Sequence, residues 1–212
     1  MEALKDSSIL VDEGGKDSVS SAIIDFRKPT LLRSVMSENR MMLMRRWRLA
    51  QGGLLDDEKT ITRWFPGQRN LLEMLEAVSE QEVEQMAECT APLFAVTLPA
   101  GIYPGVFQAR TPDNELEIQS EDEIFLSLSV RLDSLRLSTS QAAMIFGLTN
   151  SEVNRLSRFG PHELRALARD PMMHVYPVTS DNYFVAAATR TMTEAEKTVL
   201  ATVSRRSRDS IR

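Results

Sequence analysis

The side chains best suited to chemistry in this sequence are Ser151, Asn154, Arg155 and Arg158, spaced to share the outer face of one helix. Their chemistry is recognition. Asparagine pairs with adenine and arginine with guanine in the DNA major groove, and both reach phosphates. Covalent chemistry has no comparable set. Cys89 is the only cysteine, and His162 and His174 are the only histidines, so no zinc site of the usual spacing is available. Neither a glycine-rich phosphate loop nor a serine nucleophile elbow occurs in the sequence. Asp113, Glu115, Glu117, Glu121, Asp122 and Glu123 form an acidic run. It lacks the spacing and turn glycine of a calcium loop and reads as a solvated linker. The expectation is a non-enzymatic protein with no metal, no cofactor and no small-molecule ligand.

The four residues lie in TSQAAMIFGLTNSEVNRLSR, positions 139–158. Ala143, Gly147, Val153 and Leu156 stand there at helix-turn-helix spacing. A small residue allows close helix approach, glycine takes the turn, and Val and Leu lock the second helix onto the first. DNA contact is one reading; a packing or partner-binding helix pair is the other. Glu152, early on the same helix, faces phosphates poorly.

The basic run MRRWRL (44–49) could grip phosphates, with Trp47 as a stacking group. The reading preferred from sequence puts Trp47 in the core and the arginines on a solvated face or interface. Arg205, Arg206, Arg208 and Arg212 make a basic tail that suits a DNA backbone, an acidic partner or a frayed terminus.

The elements that must position these residues are mostly helices. Residues 1–20 are polar and aperiodic and read as disordered. A first helical unit spans 29–98. It has a long helix to Gln51 stopped by Gly52-Gly53, short helices over 57–64 and 70–78, and a capping box at Ser79–Glu82. Residues 99–120 are a Pro/Gly/acidic linker. A second unit spans 121–189. It has a helix from about Glu121, capping-box spacing at Ser138–Gln141, helices over 139–146 and 150–158, and Pro161 opening another. Residues 173–178 and 183–187 read as short extended pieces. Residues 190–212 are a basic C-terminal helix and tail, capped at Thr193–Glu196.

The units echo each other when displaced by 81 positions, as Phe65 is from Phe146. Leu72 then falls on Val153, Leu75 on Leu156, Val83 on Leu164 and Met86 on Leu167. A gapless match across a helix, a break and another helix points to a repeat, and so to an all-α pseudo-dimer in one chain. The expected contact between units runs through the helices carrying Leu72, Leu75, Val153 and Leu156. In the first unit Pro66 replaces the turn glycine and Thr62 the small residue, so that unit is not expected to read DNA.

The chain has 212 residues, 42% apolar and 26% charged, with a net charge of −5. That length allows one large domain or two small ones. A free-standing DNA binder is usually basic, so a DNA role needs local charge or a basic partner. No apolar run approaches the roughly 18 residues of a membrane span. The N-terminus lacks signal-peptide features, and a lone cysteine fits a reducing, cytoplasmic location.

Residues Ile124–Val178 resemble the FlhD family, a subunit of the bacterial flagellar master regulator. The likeness is carried by IFLSLSVRL (124–132), AAMIFGL (142–148), Leu156-Ser157-Arg158-Phe159 and LRALA (164–168) before MHVYPV. The first unit matches more faintly, at VEQMAE (83–88) and LFAV (93–96). The resemblance implies an all-helical, dimeric transcriptional activator. It implies a second subunit, FlhC-like, that supplies a zinc site and much of the DNA grip; a homo-oligomer is the other possibility. The chain departs from the family in carrying two units and in residues 190–212. The position of the family's intersubunit cysteine falls near Val175 and Phe94, so no covalent link between chains is expected.

Overall fold

The computed structural model describes residues 30–55, 57–105 and 110–206. The expectation for residues 1–20 lies outside them, as do Arg208 and Arg212. The fold is all-α, with ten helices and two three-residue strands among the described residues.

The first unit opens with α1 (Thr30–Gln51), then α2 (Glu58–Trp64), α3 (Arg69–Ala77), α4 (Glu80–Ala87) and β1 (Phe94–Val96). The second has α5 (Glu115–Leu137), α6 (Thr139–Phe146), α7 (Asn150–Leu156), α8 (Pro161–Leu167) and β2 (Val175–Pro177). Helices α9 (Asp181–Thr189) and α10 (Glu194–Val203) follow. Helix α1 buries Leu31, Val35, Met42, Leu43 and Leu49 at helical spacing and stops where Gly53 turns left-handed, φ 59°. Ser79–Glu82 and Thr193–Glu196 form reciprocal caps on α4 and α10, and the Glu163 carboxylate accepts from the Gly160 N–H at the start of α8.

Four sequence expectations are corrected. Helix α5 starts at Glu115, six residues before Glu121, because Asn114 caps the Glu117 N–H at 2.9 Å. The acidic run is therefore helical, not a linker: Glu117 pairs with Arg110, Asp122 with Arg165 and Glu121 with Arg169. Acids in a first turn also suit the helix dipole. Ser138 makes no capping box, since it closes α5 and opens α6 at once with no side-chain cap bond. Residues 183–187 lie in helix α9, where Tyr183, Phe184 and Ala187 bury one helical face. The tail is anchored, not frayed, as far as Arg206. Arg205 donates to the Phe146 carbonyl at 3.1 Å, and Arg206 pairs with Asp181.

The main contacts between the units do not run through α3 and α7. Helix α1 packs on α5, and β1 pairs antiparallel with β2, while α9 covers α3 and α4. Buried apolar residues of both units form one continuous core. The strand register is Phe94↔Pro177, Ala95↔Tyr176 and Val96↔Val175. With the 81-position displacement, Ala95 pairs with its own equivalent, and Phe94 and Val96 each pair with the equivalent of the other.

Two buried ion pairs repeat that exchange. Arg46 meets Glu123 at 2.6 Å, and Arg131 meets Glu38 at 2.5 Å, so α1 and α5 run antiparallel. Displaced by 85 positions, Glu38 becomes Glu123 and Arg46 becomes Arg131. The four extra positions lie in the loop after α1, where the second unit has only Ser138. All four side chains are at most 2% exposed. Arg46 sits 4.5 Å from the Phe94 ring centroid, and Arg131 sits 4.7 Å from that of Phe146. Of the solvated face or interface expected for the arginines of MRRWRL, Arg46 takes the interface, buried between α1 and α5. Trp47 is half-buried, donating to the Val78 carbonyl at 3.0 Å. Burial pushes the Glu123 carboxyl above its ordinary range, against the pull of Arg46.

Candidate nucleic-acid interface

The helix pair α6–α7 is built from the spacing that defines it. Ala142 and Phe146 bury one face of α6. Gly147 then takes φ 64°, ψ 38°, a left-handed turn that side chains resist, and the Leu148 N–H returns to the Ala143 carbonyl at 2.8 Å. Thr149 caps the Glu152 N–H, while the Glu152 carboxylate accepts from the Thr149 N–H at 2.7 Å. Glu152 is thereby engaged in the cap at the start of α7, and this capping box is one the sequence reading missed. Its Thr-x-x-Glu signal stands in plain view at 149–152. Val153 and Leu156 are buried against the fold.

The four candidate residues share the outer side of this pair but not one environment. Ser151, Asn154 and Arg158 are exposed. Arg155 is half-buried, with its guanidinium donating to the Leu98 carbonyl at 3.1 Å and the Ala100 carbonyl at 3.3 Å. It also reaches the Ser151 hydroxyl at 3.4 Å. Arg158 lies 6.0 Å from the Tyr103 ring centroid. Arg155 therefore ties the segment after β1 to α7, a tethering role that sequence reasoning missed. Backbone carbonyls 55 and 57 positions away leave no sequence signal. Helix α7 has seven residues, about 10 Å or two turns, and ends at Leu156 where the sequence predicted 158, so Arg158 stands in the turn after it.

Cys89 is buried, and burial raises its thiol pKa, so it is not a reactive thiolate. The Tyr183 hydroxyl beside it is held protonated by burial and donates to the Met86 carbonyl at 2.6 Å. His162 is exposed. His174 is half-buried and bonds the Thr97 hydroxyl at 2.9 Å, and burial lowers its pKa. Among the described residues no group of three metal-ligating side chains gathers, and no helix is long and apolar enough to cross a membrane. No protein-family model, no curated protein and no solved structure matches this chain.

Proposed function

We propose that this chain is a subunit of a DNA-bound transcription regulator, a covalent pseudo-dimer that presents α6–α7 outward as its helix-turn-helix. The observation that carries the reading is the face of α7. Ser151 and Asn154 stand exposed on a helix locked by a left-handed glycine and a capping box, and Arg158 is exposed in the turn that follows it. Asn154 is the base-reading candidate, Arg158 and Ser151 are phosphate or base contacts, and Arg155 positions the helix. The swapped ion pairs and the symmetric strand register support the pseudo-dimer. The net charge of −5 assigns most of the phosphate grip to a second, basic subunit. The resemblance to the FlhD family supports an activator in the cytoplasm with an FlhC-like partner.

The test is retention of genomic fragments by the tagged full-length chain from a lysate of its own cells, at low and physiological salt. A discrete set of fragments, lost on Asn154→Ala and weakened by salt, is expected. Recovery of protein partners without any discrete fragment overturns the DNA role. That outcome favours an adaptor or anti-regulator that occupies a partner of a true regulator. One observation favours that second reading: exposed apolar side chains at Met144, Val199 and Val203 near the DNA-facing pair and on α10.

A further inference from the structure

The buried charges keep their sign between the units, but the surface charges beside them reverse it. Arg40 of α1 pairs with Glu84 of α4, whereas Asp122 of α5 pairs with Arg165 of α8. Glu84 and Arg165 are equivalents at 81 positions. Displaced by 85 positions, as Arg46 is from Arg131, Arg48 falls on Asp133, and both are exposed. Helix α4 packs beside α1, α1 beside α5, and α5 beside α8. Glu80 and Glu84 of α4 and Arg40, Arg45 and Arg48 of α1 line one continuous surface with Gln119 of α5. Across this face the stripes therefore run acidic on α4, basic on α1, acidic on α5 and basic on α8.

The middle of the face is apolar. A cleft between α1 and α5 is lined by Ser37, Met41, Leu126 and Val130, the last three half-buried. Met41 and Leu126 are themselves equivalents at 85 positions, so the cleft follows the line about which the units exchange. Helices of 22 and 23 residues lying side by side offer a face of about 33 by 20 Å, roughly 660 Å² before α4 and α8 are counted. A stable interface takes roughly 800 Å² from each partner.

We propose that this face pairs with a second copy of itself, about a two-fold axis running along the α1–α5 cleft. That axis sets α1 over α5 of the second copy and α4 over α8, so each stripe meets one of opposite sign. A two-fold axis across the helices would instead set α1 on α1, arginine against arginine. A wholly acidic or wholly basic partner would meet its own sign on half of the stripes, and a second copy meets it on none. The buried Arg46–Glu123 pair fixes the register, because two residues past Arg46 the antiparallel helices bring Arg48 level with Glu121, next to Asp122. A two-fold axis along the cleft shifts nothing along it. Arg48 of each copy then faces Glu121 and Asp122 of the other, with Met41, Leu126 and Val130 meeting at the centre. The proposal rests on the correspondence between the units and not on DNA contact.

The experiment is sedimentation velocity on the full chain over a micromolar concentration series. A reversible monomer–dimer equilibrium is expected, weakening as salt rises. Val130→Asp should weaken association by roughly tenfold or more. Arg48→Glu, at an exposed position, should do so by a similar factor with the unfolding midpoint unchanged. A monomer at every concentration overturns the proposal, and so does a dimer that either variant leaves at full strength. Failure here leaves the reading of α7 standing, and failure of fragment retention leaves the dimer standing.

Discussion

The helix pairs α2–α3 and α6–α7 hold the same place in their units and turn different chemistry outward. Their inner faces agree: Leu72 and Leu75 are buried in α3 where Val153 and Leu156 are buried in α7. Their outer faces do not. Where α7 carries Ser151, Asn154 and Arg155, with Arg158 in the turn just after it, α3 carries Asn70, Glu73, Met74 and Ala77. Helix α9 packs on α3, and Asn70 donates to Asp181 at 3.0 Å. The turns differ by one residue. Gly67, φ 65°, follows Pro66 in the first pair, so the left-handed glycine expected to be missing there is present one position later. The two pairs bury the same apolar positions, while only α6–α7 turns an uncharged-to-basic face outward.

The largest test of that equivalence is at the buried charges. Arg46→Met and Arg131→Met should each cost about 3–5 kcal/mol, because each strands a buried glutamate. The two losses should be similar, read as urea midpoints at constant slope. Combining Arg131→Met with Glu38→Leu should recover most of the loss. A large effect at one arginine and none at the other would break the correspondence between the units.

A smaller effect separates the two turns. Gly67→Ala and Gly147→Ala each force a side chain into left-handed backbone, roughly 1–2 kcal/mol. A Cβ at Gly147 would also lie 3.1 Å from the Arg205 guanidinium, whereas one at Gly67 meets nothing within 4 Å. Gly147→Ala should therefore lower the thermal midpoint more than Gly67→Ala. Equal shifts would mean that Arg205 yields freely.

The smallest effect is at the strand seam shared by both units. Burial holds His174 below its ordinary pKa of about 6.5. The unfolded chain takes up this proton first, so its contribution is present above pH 6.5 and is lost as pH falls toward the folded value. Stability measured from pH 7 to 5 should decline, and His174→Gln should flatten the curve. An unchanged slope in the variant would remove His174 as the source.

Much of this was legible in the sequence, and the failures have physical causes. The apolar period located nearly every helix, and the turn glycine at 147 and the caps at Ser79 and Thr193 read correctly. The extended piece at 173–178 contains β2, but its partner β1, 81 positions earlier, was not read as a strand. Ion pairs across 77 and 93 positions left no local trace, so Arg46 and Glu123 looked like solvent-facing charges. The α5 start was misplaced because acids that serve a helix first turn also resemble a linker. For α9, Tyr183, Phe184 and Val185 favour strand locally, and tertiary burial decided for helix. Of the candidate site, the face was legible but the tether was not: nothing near Arg155 foretells that it holds the carbonyls of Leu98 and Ala100.

The central claim is that α7, and not α3, meets DNA. The most direct measurement is genomic occupancy of the full-length protein in its own cells, comparing Asn154→Ala with Glu73→Ala. Loss of one base contact should lower occupancy at bound sites roughly tenfold for Asn154→Ala. Glu73→Ala, at the equivalent position on α3, should leave it unchanged. Equal occupancy in both variants, or no discrete sites in the unaltered protein, would contradict the account.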